Sequence, residues 1–156
     1  MSSTVRASRA VVLPPSEAMQ LWRDLRRWPT FVEGFAHVES KDDAWPADGT
    51  KLVWQSRPGG RGRVSEKVER HGDTFLAARV VEDAFHGRQV VRFSPVEGGG
   101  SIAELQLEYE LNPTTMWRRG PVGWVTNLFF IRRAMTDSLV RTLRRFATEA
   151  AEQQSL

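Results

Sequence analysis

The chain has 156 residues, 26% charged and 40% apolar, with a formal net charge of +3. That fits one globular domain able to bury about two-thirds of its unfolded surface. It contains no cysteine, which excludes a disulfide framework, a thiolate metal site and a thiol nucleophile. No apolar run approaches the ~18 residues of a membrane-spanning helix, and MSSTVRASRA lacks an apolar core of signal-peptide length, so the expected location is the cytoplasm.

Alternation over residues 5–13, with Val5, Ala7, Val11 and Leu13 on one side, predicts a half-buried strand. Pro14-Pro15 breaks it, and Pro15 suits the first position of a helix, with Glu17 near the positive end of its dipole. Ala18, Leu21, Trp22 and Leu25 follow at the spacing of an amphipathic helix. Pro29 requires that helix to stop at or before Trp28. Phe31, Val32 and Phe35 predict a further helical turn or two, ended near Gly34.

From His37 onward the period changes to two. Residues 37–41 form a weak strand and 42–49 a loop. The strand at 51–57 puts Leu52, Trp54 and Ser56 on one face, and Pro58-Gly59-Gly60 turns the chain. Further strands are expected at 63–70, 74–82 and 88–96. After Gly98-Gly99-Gly100, residues 101–111 set Ala103, Leu105, Leu107, Tyr109 and Leu111 against Glu104, Gln106, Glu108 and Glu110.

From Pro121 to about residue 152 the period returns to that of a helix. Trp124, Leu128, Ile131, Met135, Leu139, Leu143, Phe146 and Ala150 share one stripe, while Arg133, Asp137, Arg141 and Arg144 lie opposite. Arg132 falls inside the stripe, where it either snorkels to the rim or points a cation into a cavity. Strand, two short helices, about six strands and one long helix imply an α+β fold in a single domain, 1–156. Its antiparallel sheet of about seven strands has a dry face covered by the C-terminal helix.

The opening strand, then Pro14-Pro15-Ser16-Glu17-Ala18-Met19-Gln20-Leu21-Trp22-Arg23-Asp24-Leu25 ending in Trp28-Pro29, resembles the start of the SRPBCC (START-like, helix-grip) superfamily. The Arg57-Pro58 turn leading to Gly62-Arg63-Val64, the Gly98-Gly99 hairpin and Gly120-Pro121-Val122-Gly123 before the arginine-rich helix are similar to its polyketide cyclase/dehydrase family. The resemblance covers residues 5–149. It implies a curved sheet gripping the final helix around an internal cavity that opens near the two short helices. That family hosts aromatase/cyclases as well as lipid and quinone carriers, so fold alone does not choose between them. By position, Trp28 matches a tryptophan that lines the pocket of single-domain aromatase/cyclases. Phe35 stands where those enzymes carry a tyrosine, Ser65, Lys67 and Glu69 where they carry large aromatics, and His71 near their key arginine.

His37, His71 and His86 have no metal-ligand spacing, no glycine-rich loop leads from a strand into a helix, and no nucleophile elbow is present. No metal or cofactor is therefore expected. The arginines are interspersed with acids, and Arg118–Arg119 and Arg144–Arg145 are pairs rather than patches, so no nucleic-acid partner is expected. The candidate pocket residues are Trp28, Phe31, Phe35, Trp54 and Ser56 from the first half, with Arg79, Phe93, Tyr109, Arg132 and Met135 from the second. Arg79, Tyr109 and His71 are the candidates for catalysis.

On strand 63–70 two registers compete. Val64, Glu66 and Val68 point inward in one, and Ser65, Lys67 and Glu69 in the other, which the family resemblance favours. The preferred function is binding of a hydrophobic or aromatic, polyketide-like small molecule by a monomer or homodimer. The alternatives are an aromatase/cyclase, with Arg79 or Arg132 stabilising an enolate, a lipid or quinone carrier, and a protein or membrane interaction module.

Overall fold

Five hairpin-length connections and one helical crossover link the seven strands of the sheet, which has two edges. The computed structural model describes residues 2–113, the backbone of 120–127, and residues 128–155 in full. The Arg118–Arg119 pair and the Trp124 side chain lie outside the described residues. Strands β1 (Ser3–Val11), β2 (Phe35–Lys41), β3 (Lys51–Ser56), β4 (Arg63–His71), β5 (Phe75–Val81), β6 (Phe85–Pro95) and β7 (Ser101–Leu111) are all antiparallel. Their order is β1-β7-β6-β5-β4-β3-β2. Curved across this order, the sheet has one dry face and wraps a long C-terminal helix, which is the helix-grip architecture.

Between β1 and β2 the chain crosses from one edge of the sheet to the other. Helix α1 (Pro15–Arg23) starts on Pro15, carries Glu17 in its first turn and Arg23 in its last, and buries Ala18, Met19, Leu21 and Trp22. Asp24 caps the following 3₁₀ turn (Leu25–Arg27) by accepting the Arg26 N–H at 3.2 Å. Helix α2 (Trp28–Phe31) is a single turn. It ends earlier than the spacing of Phe31, Val32 and Phe35 suggests. Gly34 takes a positive φ of 74° and redirects the chain, so Phe35 opens β2 and does not continue the helix.

Helix α3 (Gly120–Ser155) has 36 residues, about 54 Å at 1.5 Å per residue. Leu139, Leu143, Phe146 and Ala150 are buried, and Leu128, Ile131 and Met135 are half-buried. The ring of Phe146 lies 5.1 Å from Phe31, 5.3 Å from Trp22 and 5.5 Å from Phe93. This cluster joins α1, α2, β6 and α3, and each such pair adds ~0.5–1.5 kcal/mol beyond area burial. Arg133, Asp137 and Arg144 face water. Arg141 does not: it is half-buried and donates to Glu33 Oε1 at 3.1 Å. Thr142 Oγ1 accepts the Glu33 N–H at 3.1 Å, and Arg27 pairs with Glu149 at 3.0 Å, so the segment around α2 is tied to the helix.

The register of β4 is resolved by its partners. Val64, Glu66 and Val68 are buried, whereas Lys67 and Glu69 are exposed and Ser65 is intermediate. The register favoured by the family resemblance is therefore not adopted. On β5 the buried phase is Leu76, Ala78 and Val80.

Candidate ligand-binding cleft

Between the inner face of the sheet and the middle of α3 lies a cleft of about 210 Å³. Its apolar walls are Phe85 and Leu107 from the sheet with Ile131, Ala134, Met135 and Leu139 from α3. Arg61, Glu82, Gln89 and Ser138 supply polar groups. Arg61, Gln89, Ser138 and Leu139 also border a narrower inner space of about 40 Å³, where Trp22, Trp28, Trp54 and Glu66 form the remaining wall with Val32, Leu105 and Thr142. The two volumes thus share four wall residues.

The local sequence explains who stands there. Residues 85, 87, 89, 91 and 93 of β6 share the inner phase, which brings Gln89 between Phe85 and Val91. Ser138 sits three residues after Met135 on the helix stripe, where a small side chain leaves room. Arg61 lies in the β3–β4 hairpin and Glu82 at the end of β5, two loops at the same end of the sheet. Arg61 Nε donates to Glu82 Oε2 at 2.6 Å. The Arg61 guanidinium also lies over two rings, 5.1 Å from the Trp54 centroid and 5.8 Å from that of Phe85.

Glu66 and Glu82 are both buried, and burial pushes both carboxyls above the usual carboxylate range. For Glu66 the opposing influences are the Trp54 hydrogen bond and then the Arg61 charge; for Glu82 the Arg61 charge and its hydrogen bond. The Trp54 indole Nε1 donates to Glu66 Oε2 at 2.6 Å. The cleft thus combines apolar walls with a cation held by one acid and a second acid buried deeper. Among the described residues, no cluster of three His, Cys, Asp or Glu side chains could hold a metal ion. No helix there is long and apolar enough to cross a membrane.

The model of one family, "Polyketide cyclase / dehydrase and lipid transport", matches residues 2–151. The chain belongs to this family. None of the curated proteins matches it in sequence. Among solved structures, a Thermus thermophilus protein is similar at 22% identity and a TM-score of 0.73, covering 97% of this chain and 99% of that one. The ZhuI aromatase/cyclase of a Streptomyces species aligns with a TM-score of 0.78 at 12% identity over 98% of this chain and 96% of its own. The di-domain aromatase/cyclase StfQ of the steffimycin biosynthetic pathway aligns at 0.80 and 12% over all of this chain and 53% of its own. At these identities the likeness is one of fold.

In this cyclase/dehydrase-family chain the candidate residues read from the sequence separate into groups. Met135 lines the main cleft, and Trp28 and Trp54 line the inner space. Phe31 and Phe93 are packed into the aromatic cluster around Phe146. Phe35 lies against Trp28 and Trp54, with centroids 5.8 and 5.4 Å away. Tyr109 is buried with its ring 5.8 Å from Phe85, behind the wall of the cleft.

Four candidates lie elsewhere. Ser56 Oγ accepts the Gly62 N–H at 2.8 Å and shapes the β3–β4 turn. Arg79 is exposed on the outer face of the sheet, because the inner phase of β5 is held by Leu76, Ala78 and Val80. There it borders a charged depression with His86, Arg88, Glu108 and Glu110. His71, at the far end of β4, is paired with Asp48 at 2.7 Å. Arg132 is exposed and does not line the cleft. Sequence reasoning did not select Arg61, Glu82, Gln89 or Ser138. The first two stand in or beside hairpin loops, where no periodicity assigns a face.

Proposed function

We propose that the chain binds a hydrophobic or aromatic small molecule of one or two fused rings in the cleft between the sheet and α3. The observation that carries this reading is the cleft itself: about 210 Å³, walled by Phe85, Leu107, Ile131, Met135 and Leu139, with Arg61, Glu82, Gln89 and Ser138 as its polar groups. An apolar cavity of ~150 Å³ in another protein accommodates benzene, so this volume suits a slightly larger ligand. A few convergent polar groups in an apolar pocket are the usual pattern of small-molecule sites. Carriage of such a compound through the cytoplasm, by a monomer or homodimer, is the role this supports.

Native mass spectrometry of the purified protein should show a co-purified hydrophobic compound. Met135→Trp should abolish uptake of that compound, or of a bicyclic aromatic probe, with the circular dichroism spectrum unchanged. A consistently ligand-free mass, together with no response to bicyclic aromatics, would overturn the reading.

One observation favours a second reading, an aromatase/cyclase acting on a polyketide-like chain. Arg61 is a fixed cation at the cleft wall, suited to stabilise an enolate oxygen, and Glu82 beside it is an acid whose raised pKa suits proton transfer. Cyclised product from a short poly-β-ketone mimic, lost in Arg61→Met, would establish that chemistry.

A further inference from the structure

An apolar cleft does not account for Glu66. A leucine at this position between Val64 and Val68 would complete the inner face of β4, whereas a buried carboxylate without a paired cation is costly. Arg61, the cation whose charge reaches Glu66, is engaged by Glu82 at 2.6 Å and seated on the rings of Trp54 and Phe85. The Trp54 Nε1–H occupies Glu66 Oε2 at 2.6 Å. Among the described residues, no hydrogen bond engages Oε1. Glu66 borders the inner space, which shares Gln89 and Ser138 with the main cleft. Burial favours the neutral form of this carboxyl, and with Oε2 already an acceptor the proton of that form belongs on Oε1.

We propose that Glu66 reads the ligand: its carboxyl O–H donates a hydrogen bond to the carbonyl oxygen of a one- or two-ring ketone or quinone held in the cleft. Trp54 is the positioning residue, fixing the carboxyl plane by its own donation to Oε2. This rests on the small-molecule reading above and adds the functional group that the occupant must carry. A pure hydrocarbon would leave the acid O–H without an acceptor, the arrangement that discriminates most strongly in a buried polar site.

The probes are 1-tetralone and tetralin, which share a bicyclic skeleton and differ by one carbonyl. Quenching of the tryptophans lining the inner space (Trp22, Trp28 and Trp54) reports binding. The ratio of the tetralin to the 1-tetralone dissociation constant should fall about tenfold in Glu66→Leu. Glu66→Gln, which keeps an N–H donor, should retain most of the preference. In the wild-type protein, the infrared carbonyl stretch of bound 1-tetralone should lie below its frequency in cyclohexane and return towards it in Glu66→Leu.

An unchanged ratio in Glu66→Leu would assign the donation to Gln89 or Ser138 and overturn the proposal. A wild-type carbonyl stretch equal to that in cyclohexane would overturn it without reference to any variant. Equal affinity of the wild-type protein for both probes, with no carbonyl shift, would leave the cleft a binding site while removing Glu66 as its reader. Binding of neither probe would remove both readings.

Discussion

Deleting the indole N–H of Trp54 tests whether the acid buried under the helix is held by that single donor. Trp54 is 1% exposed, and its Nε1 lies 2.6 Å from Glu66 Oε2. Trp54→Phe removes the hydrogen bond but also trims a ring that meets Phe35 at 5.4 Å and Arg61 at 5.1 Å. Its total cost therefore mixes packing with hydrogen bonding. A cycle with Glu66→Leu separates the two, because the packing loss recurs in the leucine background and cancels. What remains is the coupling: ~0.5–1.5 kcal/mol for a neutral hydrogen bond, plus the ~1–3 kcal/mol cost of a buried polar group left without its partner. Both single variants incur that second cost and the double variant does not, so a coupling of at least ~2.5 kcal/mol is expected. Urea unfolding at pH 6, followed by far-ultraviolet circular dichroism on all four proteins, gives the numbers. A coupling below ~0.5 kcal/mol is within ordinary additivity and would refute the claim that Trp54 holds Glu66.

Phe146→Ala should cost ~3–5 kcal/mol in the same assay, because it empties the centre of a fully buried cluster shared by α1, α2, β6 and α3. A loss under ~1.5 kcal/mol would mean that α3 is gripped elsewhere. Stability should also depend on pH in a defined direction. Glu66 and Glu82 have folded pKa values raised above the ordinary carboxyl value of 4.5. The native state therefore holds protons that the unfolded chain releases as pH rises from that value. Stability is greatest below it, declines through the window up to the raised values, and levels off above them. Denaturation midpoints in buffers from pH 4 to pH 9 measure this, and Glu66→Gln should flatten the decline; a rise across the window in the wild-type protein would contradict the burial of these acids. Glu33→Ala, which removes the ion pairs to Arg141 at 3.1 Å and Arg145 at 2.6 Å, should cost about 1 kcal/mol or less, as half-exposed pairs do, and less still at high salt.

The elements with strong periodicity were legible from residue order alone. Residues 101–111 alternate cleanly because one side faces water and the other the helix, and β7 has those bounds. Leu139, Leu143, Phe146 and Ala150 all lie on the buried side of α3. What was not legible depends on neighbours distant in sequence. On β4, Val64-Ser65-Glu66-Lys67-Val68 offers a charged residue to the interior in either phase, and the choice rests on Trp54, which supplies a donor to Glu66 from the adjacent strand. On β5, Phe75, Ala77 and Val81 make the phase of Arg79 look apolar, yet Val81 is 50% exposed and the Phe75 ring lies 5.7 Å from the Arg92 guanidinium on the outer face. Arg61 and Glu82 meet only because two hairpin turns lie at one end of the sheet, a fact of topology that no local pattern carries.

The position of β1 also governs how the chain comes together as it is made. Ser3 stands opposite Tyr109 and Val11 opposite Ser101, so β1 pairs with β7, the strand farthest from it in sequence. The strands from β2 to β7 can zip one after another as each leaves the ribosome, whereas β1 must wait with its row of amides open, a ready template for another chain. A polypeptide halted before Ser101 therefore presents unsatisfied ribbon at its leading end and an oily sheet face that the final rod has yet to cover. Such fragments are prone to clump, and arrival of β7 beside β1 with the helix that follows ends the hazard.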